Sequence, residues 1–242
     1  MRRGWIRSAG RVAVALCLSV TAAAAQEERV IAEDYADLAR TLGGRLDFEG
    51  FGAGPEPGIT LDGPITAPGV SLGERLSGTD IVVREVQGGV FDAPGPGRPD
   101  RPLAVAPGAP GRNLSVAQHR GFGSAALFPL GPAGWPALGA RGEGMVTLLF
   151  ADDQPAIGLK LHADYPDPLG SRPAPGEVLL VFFDRSGRRI GFATHIPAPG
   201  VNALAWRSAP GAPPFAAVTI YNADPGGIAI DDVIYALPDL TG

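Results

Sequence analysis

Near the C-terminus of this chain lies the sequence Gly227-Ile228-Ala229-Ile230-Asp231-Asp232-Val233-Ile234-Tyr235, in which apolar residues surround two adjacent carboxylates. A second segment that mixes apolar and acidic residues, Leu46-Asp47-Phe48-Glu49-Gly50-Phe51, lies near the other end. Both patterns predict β-strands. In strict alternation Asp232 shares a face with Ile230 and Ile234. Its carboxylate then either enters the interior and needs a compensating partner, or lies at the strand end near solvent.

Between these segments, glycine and proline divide the chain into short β-rich runs. The clearest runs cover residues 80–86, 113–118, 144–151, 155–163, 177–184, 188–196 and 215–222. Because no helical segments alternate with these runs, they predict one all-β sandwich domain over residues 45–242.

Two of the runs show the two-residue period of a half-buried strand. In residues 155–163 this period places Lys160 and His162 on the polar face. In residues 188–196 it predicts one face shared by Ile190, Phe192, Thr194 and Ile196, with His195 on the opposite, polar face.

The first 25 residues predict a cleaved signal peptide. They combine an arginine-rich leader, an apolar core over residues 12–20 and the small-residue pattern Ala23-Ala24-Ala25. The core is far shorter than the ~20 residues of a membrane helix, so we expect an exported protein, periplasmic or extracellular, with no membrane span after cleavage. Cleavage removes four arginines, no acids and the one cysteine, which changes the formal charge from −5 to −9. That balance argues against nucleic acid as a partner.

Residues 26–44 contain the clearest helical pattern of the chain. Ile31, Tyr35, Leu38 and Leu42 recur at helical spacing, and Gly43-Gly44 follows them. We expect a short N-terminal helix that packs over one end of the sandwich. A partner-binding amphipathic helix is the alternative.

Several short motifs run in the same order as in one bacterial family: Phe48-Glu49-Gly50-Phe51, Gly73-Glu74-Arg75, Asn113-Leu114-Ser115-Val116, Gly142-Glu143-Gly144 and Ile228 through Asp232. The chain resembles the secreted jelly-roll modules of PEP-CTERM, exosortase-associated surface proteins, and more distantly MAM and carbohydrate-binding domains. The resemblance implies a jelly-roll β-sandwich of the concanavalin or galactose-binding type, with its first and last strands side by side. The PEP-CTERM sorting tail is absent after residue 237, so we expect a soluble exported form.

The same resemblance implies a structural calcium where the first strand meets the last. The side chains nominated for it are Glu49, Asp231 and Asp232, with Asp47 as a further candidate, because calcium takes several oxygen ligands. The alternative is a polar network without metal, in which an arginine or backbone donors compensate the carboxylates.

Jelly-roll modules also imply carbohydrate binding, in which aromatic rings stack on sugars and polar groups hold hydroxyls. Trp135, in a loop rich in glycine and proline, is the predicted platform, with His162, His195 and Tyr165 as neighbours. The competing interpretation is that a tryptophan caps the core, which we favour for Trp206.

Catalytic patterns are weak. Gly69-Val70-Ser71-Leu72-Gly73 matches the serine hydrolase motif, but the strand-to-helix turn that this chemistry needs is not predicted there. We therefore expect a secreted, non-enzymatic binding module for extracellular or cell-surface polysaccharide. The alternative is a structural or protein-interaction component of the cell envelope or biofilm matrix, and a polysaccharide hydrolase or lyase ranks third.

Overall fold

The computed structural model describes residues 29–163 and 175–237, and these residues are almost entirely β-structure. The predicted signal peptide and Tyr165 lie outside the described residues. The described helix is α1 (Tyr35–Ala39). The strands are β1 (Val30–Glu33), β2 (Gly44–Leu46), β3 (Ile59–Leu61), β4 (Ile65–Ala67), β5 (Val70–Gly73), β6 (Arg75–Leu76), β7 (Ile81–Val86), β8 (Gly89–Pro94), β9 (Val105–Ala106), β10 (Leu114–His119), β11 (Ser124–Pro129), β12 (Val146–Gln154), β13 (Ala156–Ala163), β14 (Val178–Phe183), β15 (Arg189–His195), β16 (Gly200–Ser208), β17 (Phe215–Asn222) and β18 (Ala229–Tyr235).

Two antiparallel sheets form the body of the molecule. The large sheet has the order β1-β16-β13-β18-β11-β10-β3, with β2 also paired to β18, and the small sheet has the order β15-β14-β17-β12-β5-β4. From β12 onward the chain passes repeatedly from one sheet to the other. One continuous core between them buries Leu159 and Ile230 of the large sheet and Leu180 and Val218 of the small sheet. The fold is an all-β jelly-roll sandwich with a short N-terminal helix, as the sequence predicts.

The first and last parts of the sandwich do lie side by side. Strand β2 pairs antiparallel with β18, with Leu46 opposite Val233. The predicted strand over residues 46–51 is nevertheless wrong beyond Leu46. Phe48 adopts a left-handed conformation, φ 60°, and a 3₁₀ turn follows at Glu49–Phe51. The turn carries Glu49 out of β2 and toward the start of β11.

A β-bulge in β18 overturns the strict alternation predicted for Asp232. Lys160 of β13 lies opposite Asp231 and Gly158 lies opposite Ile234, so two residues of β18 face one residue of β13. Asp232 occupies the bulge with φ 49°, a left-handed conformation that aspartate tolerates better than most residues. Val233 takes the buried position instead, while Asp231 and Ile234 lie on the outer side of the sheet.

A second bulge, in β15, overturns the predicted faces of residues 188–196. Phe183 lies opposite Arg189 and Phe182 opposite Gly191, which leaves Ile190 as the extra residue. Beyond the bulge the residues that face the core and those that face solvent are exchanged, so Phe192 and Ile196 are 58% and 69% exposed. His195 therefore shares the inner side with Ala193, which packs on the core, rather than the polar side.

The N-terminal helix is shorter than its sequence pattern predicts. Ile31 lies in β1, the edge strand of the large sheet, which pairs with β16, so backbone pairing overrides the helical spacing of the first residues. The helix begins after Asp34, whose Oδ1 accepts a hydrogen bond from Asp37 N at 2.9 Å. Helix α1 packs on the outer face of the large sheet against β13 and β16, rather than over one end of the sandwich.

Candidate functional site

Two of the carboxylates nominated from sequence, Asp231 and Asp232, lie on the outer face of the large sheet among polar residues of neighbouring strands. We use the name outer patch for Arg45, Ser124, Lys160, Asp231 and Asp232, which come from β2, β11, β13 and β18. Lys160 and Asp231 are cross-strand partners. The Asp231 carboxylate accepts hydrogen bonds from Ser124 Oγ and from the backbone N of Asp232, both at 2.7 Å.

Asp232 is the electrostatic centre of the outer patch. Its carboxylate accepts a hydrogen bond from Arg45 Nε at 2.8 Å and forms an ion pair with Lys160 Nζ at 2.6 Å. Burial raises its pKa, but the bonds from Lys160 and Arg45 outweigh burial and hold the pKa below its usual value. Burial instead raises the pKa of Asp231. Asp232 thus stays a carboxylate although its residue is largely buried.

Tyr35 of α1 borders the outer patch. Its hydroxyl donates a hydrogen bond to the Asp232 carbonyl at 2.9 Å. Burial, and then the charge of Asp232, raise the Tyr35 pKa to about 12. The hydroxyl therefore remains a hydrogen-bond donor over the whole physiological range.

A cluster of rings lies next to the outer patch. We use the name ring cluster for His119, Phe122, Phe128 and His162. The His119 ring centroid lies 4.5 Å from that of His162 and 4.8 Å from that of Phe122, and Phe122 and His162 are 6.0 Å apart. His162 and Phe122 are half-buried, so part of each is open to solvent, whereas His119 and Phe128 are buried.

His119 fixes the loop that carries Phe122. Its Nδ1 accepts hydrogen bonds from the backbone N of Gly121 and of Phe122 at 3.1 and 3.2 Å. An accepting Nδ1 carries no proton, and burial followed by the charge of His162 lowers the pKa of His119 to about 4. His119 is therefore a neutral support for the cluster at neutral pH.

The nominated calcium ligands Glu49 and Asp231 bind neighbouring residues at the start of β11. Glu49 Oε1 accepts a hydrogen bond from Ala125 N at 2.7 Å, next to Ser124, which binds Asp231. Asp47 accepts a hydrogen bond from Glu49 N at 3.3 Å. Asp232 has an arginine partner, Arg45, as expected for the alternative of a polar network without metal. Across the described residues no group of three or more His, Cys, Asp or Glu side chains could hold a metal ion. The calcium site stays a prediction.

The nominated sugar-binding residues separate. His162 lies in the ring cluster, whereas His195 lies on the other sheet and faces inward. Trp135 is half-buried in its loop, and its Nε1 donates to the Pro57 carbonyl at 3.3 Å. Trp206 is 5% exposed and belongs to the core, as favoured from sequence.

Trp135 is connected to the ring cluster through neighbouring contacts. The Arg141 guanidinium lies 5.7 Å from the Phe128 ring centroid and forms an ion pair with Glu56 at 2.8 Å. Glu56 directly precedes Pro57, the partner of Trp135. These contacts link the loop of Trp135 to Phe128, a buried member of the ring cluster.

Sequence reasoning missed three buried carboxyl groups on the side of the small sheet. Glu74 is 2% exposed and lines a cavity of about 380 Å³ with Arg75 and Arg112. Burial, and then the charge of Asp92, raise the Glu74 pKa to about 7, while Arg112 pairs with Asp92 at 3.2 Å. Asp92 and Glu143 are the second and third of these buried carboxyl groups. Glycines beside the acids, in Gly73-Glu74 and Gly142-Glu143-Gly144, were the available signal, because adjacent glycines mark close backbone packing.

Within the two described segments, the structure contains no helix that is long and apolar enough to cross a membrane.

No family model matches this chain, and no curated protein matches it. Among solved structures, the chain is similar to a mutant family 29 carbohydrate-binding module in complex with mannohexaose, with 11% identity, a TM-score of 0.30 and coverage of 50% of this chain and 74% of that one. It is also similar to the enzymatically active domain of bacteriophage CBA120 tailspike protein 4, with 15% identity, a TM-score of 0.33 and coverage of 70% of this chain and 19% of that one. Both similarities are too distant to indicate a function for this chain.

Proposed function

We propose that this protein is an exported, non-enzymatic module that binds extracellular or cell-surface polysaccharide on the outer face of the large sheet. The observation that carries the proposal is the position of the ring cluster directly beside the outer patch. A sugar presents apolar C–H faces and a rim of hydroxyl groups, and a site that pairs rings with fixed polar groups suits both.

The polar partners for hydroxyl groups are already oriented. Lys160 and Arg45 are held by Asp232, and Ser124 is held by Asp231, so their remaining donors and acceptors have defined directions. The exposed parts of Phe122 and His162 lie next to them as stacking surfaces. Because these groups are preorganised, a ligand loses little of its binding free energy in ordering them.

A polysaccharide array in calcium-containing buffer tests this function first. We expect selective, saturable binding by the exported protein to one class of bacterial or plant polysaccharide. Absence of binding to every polysaccharide on the array would contradict the proposal. Release of reducing ends from a bound polysaccharide would contradict its non-enzymatic part and would direct attention to Glu74 and Asp92.

One observation favours the second candidate, a protein-interaction component of the envelope or biofilm matrix. Phe192 and Ile196 project from β15, an edge strand of the small sheet, and are largely exposed. Adjacent exposed apolar side chains on a sheet often mark a protein contact. If this candidate is correct, Phe192→Ser combined with Ile196→Ser will release the protein from an envelope fraction, whereas His162→Ala will not.

A further inference from the structure

A cavity of about 600 Å³ lies beside the turn of the β7–β8 hairpin, and none of its lining residues belongs to the outer patch. Its walls come from the hairpin turn at residues 87–90, from the loop around Pro132 and Gly139, and from Pro225. Glu143 contributes the one titratable side chain among the described residues that line it. The other walls are formed by apolar side chains, glycine backbone and Gln87.

Glu143 is buried in this cavity without a compensating charge. It is 7% exposed, and its Oε2 is sealed from solvent and accepts no hydrogen bond from any described residue. The nearest arginine in sequence, Arg141, instead pairs with Glu56 and covers Phe128. Burial raises the Glu143 pKa to about 8. An isolated carboxyl of this kind is costly for the fold, so its presence calls for a partner.

The backbone holds Glu143 in this position. A Cβ on Gly131 would lie 2.8 Å from the Glu143 Cβ, and a Cβ on Gly144 would lie 2.5 Å from the Leu130 carbonyl oxygen. Glycine is therefore required at both positions, because the main chain packs closely around Glu143 there. The main chain also donates from Asp92 N to the Glu143 carbonyl at 3.0 Å.

We propose that this cavity binds a small organic cation, a primary ammonium whose charge pairs with Glu143 and whose carbon framework contacts Val90, Pro132 and Pro225. The volume is within the usual range of small-molecule sites. Calcium does not suit the cavity, because it takes six to eight oxygen ligands and the lining side chains offer oxygens from Glu143 and Gln87 alone among the described residues. The proposal is independent of polysaccharide binding on the outer patch.

The test is calorimetric titration of the whole protein at pH 7 with cyclohexylamine, which is protonated at that pH, and with its neutral analogue cyclohexanol. We expect saturable binding of the amine and at least tenfold weaker binding of the alcohol. Because the free carboxyl is mainly protonated at pH 7, binding of the ammonium should also release close to one proton, measured by repeating the titration in buffers of different ionisation enthalpy.

Glu143→Gln should abolish binding and proton release, whereas Glu85→Gln, which removes an exposed carboxylate from the same hairpin, should leave both unchanged. Val90→Trp, which fills the cavity at its mouth without touching the carboxyl, should also block the amine. Equal binding of amine and alcohol, unchanged binding by Glu143→Gln, or absence of proton release would overturn the proposal. Competition by calcium chloride at low millimolar concentration would assign the carboxyl to a metal instead.

Discussion

At the scale of single residues, Asp232 shows how a nearly buried carboxylate is kept charged. Its backbone occupies a left-handed bulge position, and its side chain meets both Arg45 and Lys160. If one side of such an ion pair is removed, the remaining charge stays desolvated without the attraction that compensates it. The outer patch therefore depends on one residue for its order.

Asp232→Asn should lower the free energy of unfolding by about 1–2 kcal/mol at pH 7, because asparagine keeps the left-handed backbone but not the charge. Since the folded-state pKa of Asp232 lies below its unfolded value, this contribution is present above the unfolded pKa and is lost as the pH falls through the folded one. Urea unfolding of both proteins at pH 7 and near pH 2 measures the effect. Asp47→Asn, on an exposed carboxylate, is the control, and equal stability of Asp232→Asn and wild type at pH 7 would refute the account.

His119 also predicts a loss of stability as the pH falls, in a higher pH window than that of Asp232. Its folded-state pKa of about 4 lies below the 6.5 of an unfolded histidine, so the unfolded state binds the proton first. Stability should fall by about 2–3 kcal/mol as the pH drops from about 6.5 to about 4. His119→Asn keeps an acceptor for Gly121 N and Phe122 N, and it should flatten this part of the stability profile. A variant with the same pH dependence as wild type would show that His119 is not the group responsible.

The carboxylates Glu49, Asp231 and Asp232 also allow a direct test of the predicted calcium. Each already has a hydrogen-bond donor from the protein, so the structure does not require an ion for their compensation. If calcium binds there, millimolar calcium should raise the Tm by several degrees relative to chelator, and Asp231→Asn should remove the difference. An identical Tm with calcium and with chelator would remove calcium from the account.

At the scale of strands, the two bulges explain where alternation failed. The pattern of hydrophobic residues locates β15 and β18 correctly, but it cannot show that one extra residue has entered a strand. In β18 the bulge moves Asp232 off the inner side and buries Val233. In β15 the bulge buries Ile190, places Gly191 on the inner side and turns Phe192 outward.

The β15 bulge makes a measurable prediction. Because Phe192 is 58% exposed, Phe192→Ser should change the free energy of unfolding by no more than about 0.5 kcal/mol. Leu180→Ala on the neighbouring strand β14, in the core, should cost about 2–5 kcal/mol. Denaturant unfolding of both variants measures the difference. A loss above 2 kcal/mol for Phe192→Ser would restore the unbroken alternation and contradict the bulge.

At the scale of the whole molecule, strand periodicity and turn residues were sufficient for the all-β class because they are local signals, whereas the meeting of β2 with β18 was expected from the resemblance to jelly-roll modules. The sequence could not place Glu49 against Ala125 N, because the left-handed conformation of Phe48 and the following 3₁₀ turn take Glu49 out of β2. It could not place His119 or Phe122 beside His162, since their contact depends on the order of β10, β11, β18 and β13 in the sheet. It could not show that Glu143 Oε2 accepts no hydrogen bond from the described residues, because the burial and pairing of a carboxyl are properties of the packed molecule.

Binding of sugar to the outer face of the large sheet is tested by comparing the affinities of four proteins, the wild type and three variants, for the polysaccharide that the array selects. Titration should show at least tenfold weaker binding for His162→Ala than for wild type, with an unchanged Tm. Thr194→Ala, on the exposed side of the small sheet, should bind like wild type, and Trp135→Ala reports whether the predicted loop platform extends the site. Equal affinity of wild type and His162→Ala, together with a loss in Thr194→Ala, would place the sugar on the other sheet and contradict the account.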